Sequence, residues 1–365
     1  MRVRVLTALV AVGATCAVLL AARPTAAPAA VSTGPAFKAI GPLAFGPGNV
    51  LFAADTDAAA IVALDLGAAT GAPGARPSPD FDQQLAALLG TTPAGVAITD
   101  MVVQPGTRNA YFSVMRGAGA DAKPALVRLD GAGALTLVAL ETIAYTTASL
   151  PNAPVAAPTE RRNPRTSSIT DMVFHDGRLL VAGLSNEEFS SKLRTVPYPF
   201  AAVDAGTSVE IYHGNHGQFE TRSPVVSFVP YKINNTPNLI AGYTCTPLVK
   251  FPVSSLAPGS KVMGTTIAEL GNRNRPTDMI VYNKGGKDYL LIANTSRGVM
   301  KVPTEGFAAA GGITAPVKTE TSGVGFEPVT SLKGVEQLDL LDAQRAIVLT
   351  RAESGALSLQ AVVLP

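Results

Sequence analysis

The sequence predicts an all-β fold, a six-bladed propeller with seven blades as the alternative. Three observations lead there. Ile98-Thr99-Asp100-Met101 returns as Ile169-Thr170-Asp171-Met172 and again as Pro276-Thr277-Asp278-Met279. Each copy heads an apolar run, a turn and a second β-rich run, which is the pattern of a hairpin. Weaker copies fill the gaps, so that units open near residues 41, 99, 170, 223, 277 and 335.

The strands follow in order. Ile40-Gly41-Pro42-Leu43 leads through a Gly-Pro-Gly turn into VLFAAD, and IVALDL supplies a third strand. The later units repeat this with second runs at Ala110–Val114, Leu179–Leu184 and Tyr289–Asn294, and third runs ALVRL, PLVKFPV and GVMKVP. Fourth strands fit Leu135–Leu140, Val209–His213 and Val262–Leu270. The last unit has room for three strands only. Ala36-Phe37-Lys38 is expected to supply its fourth and so to close the ring by pairing the N- and C-terminal segments. Asp80–Leu89, with Leu85, Leu88 and Leu89 at helical spacing, reads as an inserted helix. Ser149–Ser168, rich in Pro, Ala, Arg and Thr, reads as an exposed loop. The propeller domain is expected over 36–365.

Ahead of it, Arg2 and Arg4 precede an apolar run from Val5 to Ala22, and Ala27-Pro28-Ala29 offers a small-residue cleavage site. This is the layout of a signal peptide over 1–29, followed by a flexible leader over 30–35. An uncleaved anchor is the alternative, and Gly13-Ala14-Thr15 before Cys16 lacks the Leu of a lipobox. The expected location is periplasmic or secreted, with no membrane contact beyond the export signal. Removing 1–29 takes away three Arg and no acid, so the formal net charge moves from +2 to −1. No Lys/Arg block interleaved with aromatics remains, which argues against a nucleic-acid partner. Cys245 is then the one cysteine, so the fold stands without an internal disulfide.

The segments LFAADTDAAAIVALDL (51–66) and ANTSRGVMKVP (293–303) resemble the hairpin-and-strand pattern of secreted propellers of the NHL, YVTN and gluconolactonase/paraoxonase type. The resemblance is one of architecture. Gluconolactonase-type propellers hold calcium in the central funnel with acidic and Asn side chains, and Asn294 is the one position that carries over.

The propeller architecture implies that the loops entering the inner strands share a face with the loops joining second and third strands. On that face fall Arg222, Glu187, Asn294, Arg275 and Tyr243, the expected ligand contacts. The same face holds His213, His216 and Glu220 in YHGNHGQFETR, and Cys245 in the neighbouring loop. Two imidazoles, a thiolate and a carboxylate suit zinc or copper. The bland alternative is hydrogen-bonding histidines beside a small buried thiol. Asp100, Asp171 and Asp278 are expected at equivalent places in different blades, either bracing backbone N–H groups of their own turns or converging on a cation. His175, in Phe174-His175-Asp176-Gly177, reads as a turn residue of the opposite face. No GxSxG, P-loop or GxGxxG motif is present. The expected function is capture of a small molecule or protein on one face, with zinc, copper or calcium as the candidate cofactors. The alternatives are a metal-dependent enzyme, lactonase-like or redox, and a structural scaffold.

Overall fold

A computed structural model of the chain describes residues 34–68, 77–157, 163–245 and 247–365. The signal sequence expected over 1–29, and most of the leader over 30–35, lie outside them. Six sheets, antiparallel except where Lys261–Met263 pairs parallel with Thr207–His213, form a ring, a six-bladed β-propeller. The innermost strands are Ile40–Phe45, Val96–Val103, Asp171–His175, Val225–Ile233, Pro276–Lys284 and Val335–Leu340, which define blades 1 to 6. Second strands such as Arg178–Leu184 and Lys287–Asn294 are buried over most of their length. They lie between two neighbouring blades, so both of their faces are apolar rather than alternating.

The order around the ring differs from the order in the chain. The inner strand of blade 2 packs between those of blades 1 and 6, and that of blade 1 packs between blades 2 and 3. The ring therefore reads 2-1-3-4-5-6. The crossover shows in blade 1, whose outermost strand is Ala144–Ser149, paired with Ala60–Asp65. The chain builds three strands of blade 1, steps sideways to make blade 2, returns to complete blade 1, and then continues to blade 3. Sequence spacing shows none of this, because each unit is locally a normal hairpin.

Closure of the ring also corrects the sequence reading. Blade 6 has three strands, ending in Leu357–Val363. Ala36-Phe37-Lys38 is not its fourth strand. The Lys38 and Ala39 N–H groups instead donate to Asp55 within blade 1, and Phe37 packs with blades 1 and 2. The free edge of blade 6 meets Ser78, which exchanges two backbone hydrogen bonds of 2.8 and 2.9 Å with Leu359. The helix Phe81–Leu89 follows at once. Its Phe81, Leu85, Ala86 and Leu89 are buried among Phe112 and Val127 of blade 2 and Leu349, Leu357 and Leu359 of blade 6. The connection between blades 1 and 2 thus fills the 2/6 seam.

Candidate functional site in the central channel

The inner strands carry a shared irregularity. In five of them the register slips just before one inward-facing position, between Ile40 and Leu43, Ile98 and Asp100, Val225 and Ser227, Pro276 and Asp278, and Val335 and Gln337. Such bulges re-aim side chains, and here they turn them into the channel. The equivalent positions around the ring, in the order 2-1-3-4-5-6, are Asp100, Pro42, Asp171, Ser227, Asp278 and Gln337. The three repeated aspartates therefore occupy alternate blades.

Each of these aspartates clamps two blades together. Asp100 Oδ2 accepts from Leu43 N of blade 1 at 2.6 Å, Asp171 Oδ2 from Phe228 N of blade 4 at 2.7 Å, and Asp278 Oδ2 from Leu338 N of blade 6 at 2.9 Å. In Asp171 and Asp278 the other oxygen accepts from the next residue's own N–H. The preceding threonines add to the clamp. Thr99 donates to Ile40 O at 2.8 Å and Thr170 to Val225 O at 2.6 Å. A fourth carboxylate does the same work at the 6/2 seam, where Asp339 Oδ2 accepts from Val103 N at 2.7 Å. The brace expected within one turn is thus shared between a turn and the adjacent blade. Thr170→Val is expected to lower stability by about 1 kcal/mol, the net worth of one hydrogen bond. Chemical denaturation checks it, and an unchanged midpoint would show that the hydroxyl adds nothing to the seam.

The clamps also form a waist. Above it lies a cavity of about 550 Å³, lined by Thr99, Thr170, Thr277, Arg275, Asn294, Gln337, Arg351 and Glu353 together with the three aspartates. Below it lies a smaller, largely apolar cavity of about 320 Å³, walled by Leu43, Met101, Met172, Phe228, Met279 and Leu338. Asp100, Asp171, Ser227 and Asp278 line both. Two carboxylate oxygens, Asp100 Oδ1 and Asp278 Oδ2, flank one end of the Gln337 amide at 3.0 and 3.2 Å, so the amide is assigned with its nitrogen at that end, donating to the carboxylates of both neighbouring blades.

The electrostatics follow from this crowding. The aspartates touch channel solvent yet are ringed by protein. Burial raises Asp171 to about 7, against the lowering effect of its bonds from Phe228 and Met172. Asp100 and Asp278 are raised well above the carboxylate range, first by burial and then by the negative charges of their neighbours. Asp339 is raised to about 6, again by burial. No cationic side chain bonds any of the four among the described residues. Arg275, at the rim, has its basicity lowered by burial and makes no ion pair there either.

The other residues expected at the site divide clearly. Arg275 and Asn294 line the upper cavity. Asn294 is held by Asn274, Ile292 and Gly298, so its amide serves the loop of blade 5. Glu187 is bonded to the buried Lys192 and to Asn152. Tyr243 is buried in the core between blades 3 and 4. Arg222 is exposed and outside the cavity. Gln337, Ser227, Asp339, Arg351 and Glu353 were not marked by the sequence reading. Gln337 stands at the repeat position itself, and Asp339 lies two residues on, facing the same way by strand alternation.

A second polar group lies outside the channel. His213, His216 and Glu220 offer ligand atoms that all lie within 4.8 Å of one another, the one such His/Cys/acid group among the described residues. Burial alone would raise Glu220, but bonds from His213, Ser223 and His216 outweigh it and hold the carboxyl down at about 2. Cys245 is not in this group. Its backbone is left-handed (φ 63°) and its N–H donates to Asn274 O, which turns the loop toward blade 5. His175 sits at a hairpin end, 3.3 Å from the Asp176 carboxylate.

No protein-family model and no curated protein matches the chain. Among solved structures, a putative oxidoreductase (glucose dehydrogenase) from Thermus thermophilus is 12% identical, with 91% of this chain and 98% of that chain covered and a TM-score of 0.33. The PQQ-bound aldose sugar dehydrogenase of Streptomyces coelicolor is 11% identical over 91% and 96%, with a TM-score of 0.24. An engineered GH43 glycoside hydrolase is 10% identical over 74% and 51%, with a TM-score of 0.36. Likenesses of this size do not bear on activity. No helix among the described residues is long and apolar enough to cross a membrane.

Proposed function

We propose that the propeller is a binding protein for a small amine-bearing molecule, seated in the upper cavity with its cationic group over the aspartate waist. One observation supports this reading above the others. Three carboxylates converge on the floor of a cavity of ligand size, bonded to backbone N–H groups and one amide but, among the described residues, to no cation. A buried carboxylate without a counter-charge is costly to ionise, and a bound ammonium removes that cost. Among the described residues the three carboxylates do not bring one ligand atom each within 4.8 Å of one another, which favours a ligand larger than a bare ion. An organic cation with several N–H donors spans that opening. The threonine hydroxyls and Gln337 complete a polar floor, and Arg275 at the rim suits an acidic or carbonyl group at the far end of the same molecule.

The test is a thermal-shift series with 1,5-diaminopentane, lysine and glucose as probes. The two amines should raise Tm, more at pH 8 than at pH 5, because the waist must shed protons to receive a cation. Asp171→Asn should abolish the shift. Stabilisation by glucose alone, or an amine shift that survives Asp171→Asn, would overturn the reading.

A further inference from the structure

We propose that His213, His216 and Glu220 form a transition-metal site of the zinc or copper class, separate from the channel, with Glu269 as the residue that orients His213. The fold builds the site from one hairpin. The strand Thr207–His213 turns back into Gln218–Glu220, with His213 opposite Gln218 and Ile211 opposite Glu220. His213 and Glu220 are therefore diagonal neighbours on one face. The turn between them is tight: His216 N and Gly217 N both donate to His213 O, and Gly217 is left-handed at φ 65°. This folds His216 over His213, with ring centroids 3.7 Å apart and planes 33° apart.

The donor atoms are already close. Glu220 Oε1 lies 3.1 Å from His213 Nδ1 and 2.6 Å from His216 Nδ1, and its Oε2 accepts from Ser223 Oγ at 2.5 Å. Ligand atoms around a tetrahedral ion with bonds of 2.0–2.1 Å stand roughly 3.3 Å apart, so an ion enters by opening the His213 contact by about 0.2 Å and that of the half-exposed His216 by about 0.7 Å. Two neutral imidazoles and one carboxylate suit zinc or copper rather than calcium, which takes oxygen ligands. His216 is 42% exposed, which leaves the ion a route in and an open coordination position.

An independent observation lies behind the group. His213 is 1% exposed, and its Nε2 has no hydrogen-bond partner among the described residues. That nitrogen faces Glu269 Oε2 at 3.8 Å, itself fully buried and without a partner. Two orphaned polar atoms facing each other in a buried position need a reason. Metal at His213 Nδ1 supplies one, since it forces the proton onto Nε2, and the Nε2–H then faces Glu269 Oε2, to which it donates once the 3.8 Å gap closes to hydrogen-bond distance. A carboxylate behind a ligating imidazole is the usual orienting partner. Glu269 is fixed from the other side, its Oε1 accepting from Gly214 N at 2.6 Å. A Cβ on Gly214 would come within 2.7 Å of Val317 and 3.1 Å of that oxygen, so the close approach depends on glycine.

The full chain, purified without chelator and then stripped, is titrated with zinc chloride against a chromogenic chelator, and with cobalt chloride by visible absorption. One tight zinc equivalent is expected, with the intense visible bands of a low-symmetry four- or five-coordinate cobalt site. His216→Ala, at a half-exposed position, should keep its far-UV circular dichroism and lose at least 100-fold in affinity, as should Glu220→Gln. Glu269→Gln should bind 10- to 100-fold more weakly and shift the cobalt bands, a change that a packing role alone would not produce. Cys245→Ser and the waist variant Asp171→Asn should match the parent, which separates this site from the channel. Failure of the parent to bind one zinc, or parent affinity in His216→Ala, would overturn the proposal.

Discussion

Replacing Phe81 with alanine is expected to cost the fold about 3–5 kcal/mol, the range for emptying a large aromatic site in a core. Phe81 is fully buried and packs against Phe112 at 4.9 Å between ring centroids. Its position gives the loss more than local weight. A propeller is held by adjacent blades packing on one another, and the seam between blades 6 and 2 has no shared sheet to lock it. What fills that seam is the helix Phe81–Leu89 and the Ser78 bridge to Leu359, with polar links from Asp339 to Val103, Gln337 to Asp100 and Arg108 to Asp342. Phe81→Ala should therefore lower the denaturation midpoint and raise hydrogen exchange first in Val96–Val103 and Leu357–Val363, before blades 3 and 4. A loss below about 1 kcal/mol, or exchange that rises evenly around the ring, would show that the helix does not close it.

The Thr-Asp-Met copies mark inner strands because every blade meets the same problem, an inner strand that must bond across a seam, and several solve it with the same residues. Strand starts near 100, 171 and 278 follow directly from the sequence. Blade order does not, because stepping from blade 1 to blade 2 and back leaves no trace in local periodicity. Ala144–Ser149 belongs to blade 1 although blade 2 precedes it. The site follows the same division. Asp100, Asp171 and Asp278 are visible as repeats, and Gln337 is visible only as a departure from the repeat. Glu269 is invisible, since a single acid at a strand end has no marker until Gly214 is seen donating to it. Cys245 looked like a partner of His213 because their loops serve one blade. A left-handed residue at the loop tip was enough to take it out of the group.

Stability should fall as pH rises from about 5 to 8, opposite to the usual behaviour of a carboxylate-rich protein. The sign follows from the waist. Asp171 titrates near 7 in the folded ring and near 3.8 when unfolded, so between these values the folded state holds the extra proton. Where the native state binds more protons, stability declines with increasing pH. The contribution is fully present below about pH 4 and is lost as pH rises through 7. Between pH 5 and 8 the loss from Asp171 is on the order of 2 kcal/mol, at 1.36 kcal/mol per tenfold change in proton activity and with channel water screening part of the effect. Asp339, raised to about 6, adds in the same direction over a lower window. Asp171→Asn separates this from other causes. An amide cannot accept from both Phe228 N and Met172 N, so the variant starts less stable, but it has no proton to lose. Its Tm should vary less between pH 5 and 8 than the parent's. The decline should also shrink when 1,5-diaminopentane occupies the upper cavity, because a bound cation takes the place of the proton. Parent and variant profiles that run parallel across this range would mean that Asp171 is ionised throughout, and the waist would then be a set of charged clamps with no proton to exchange for a ligand.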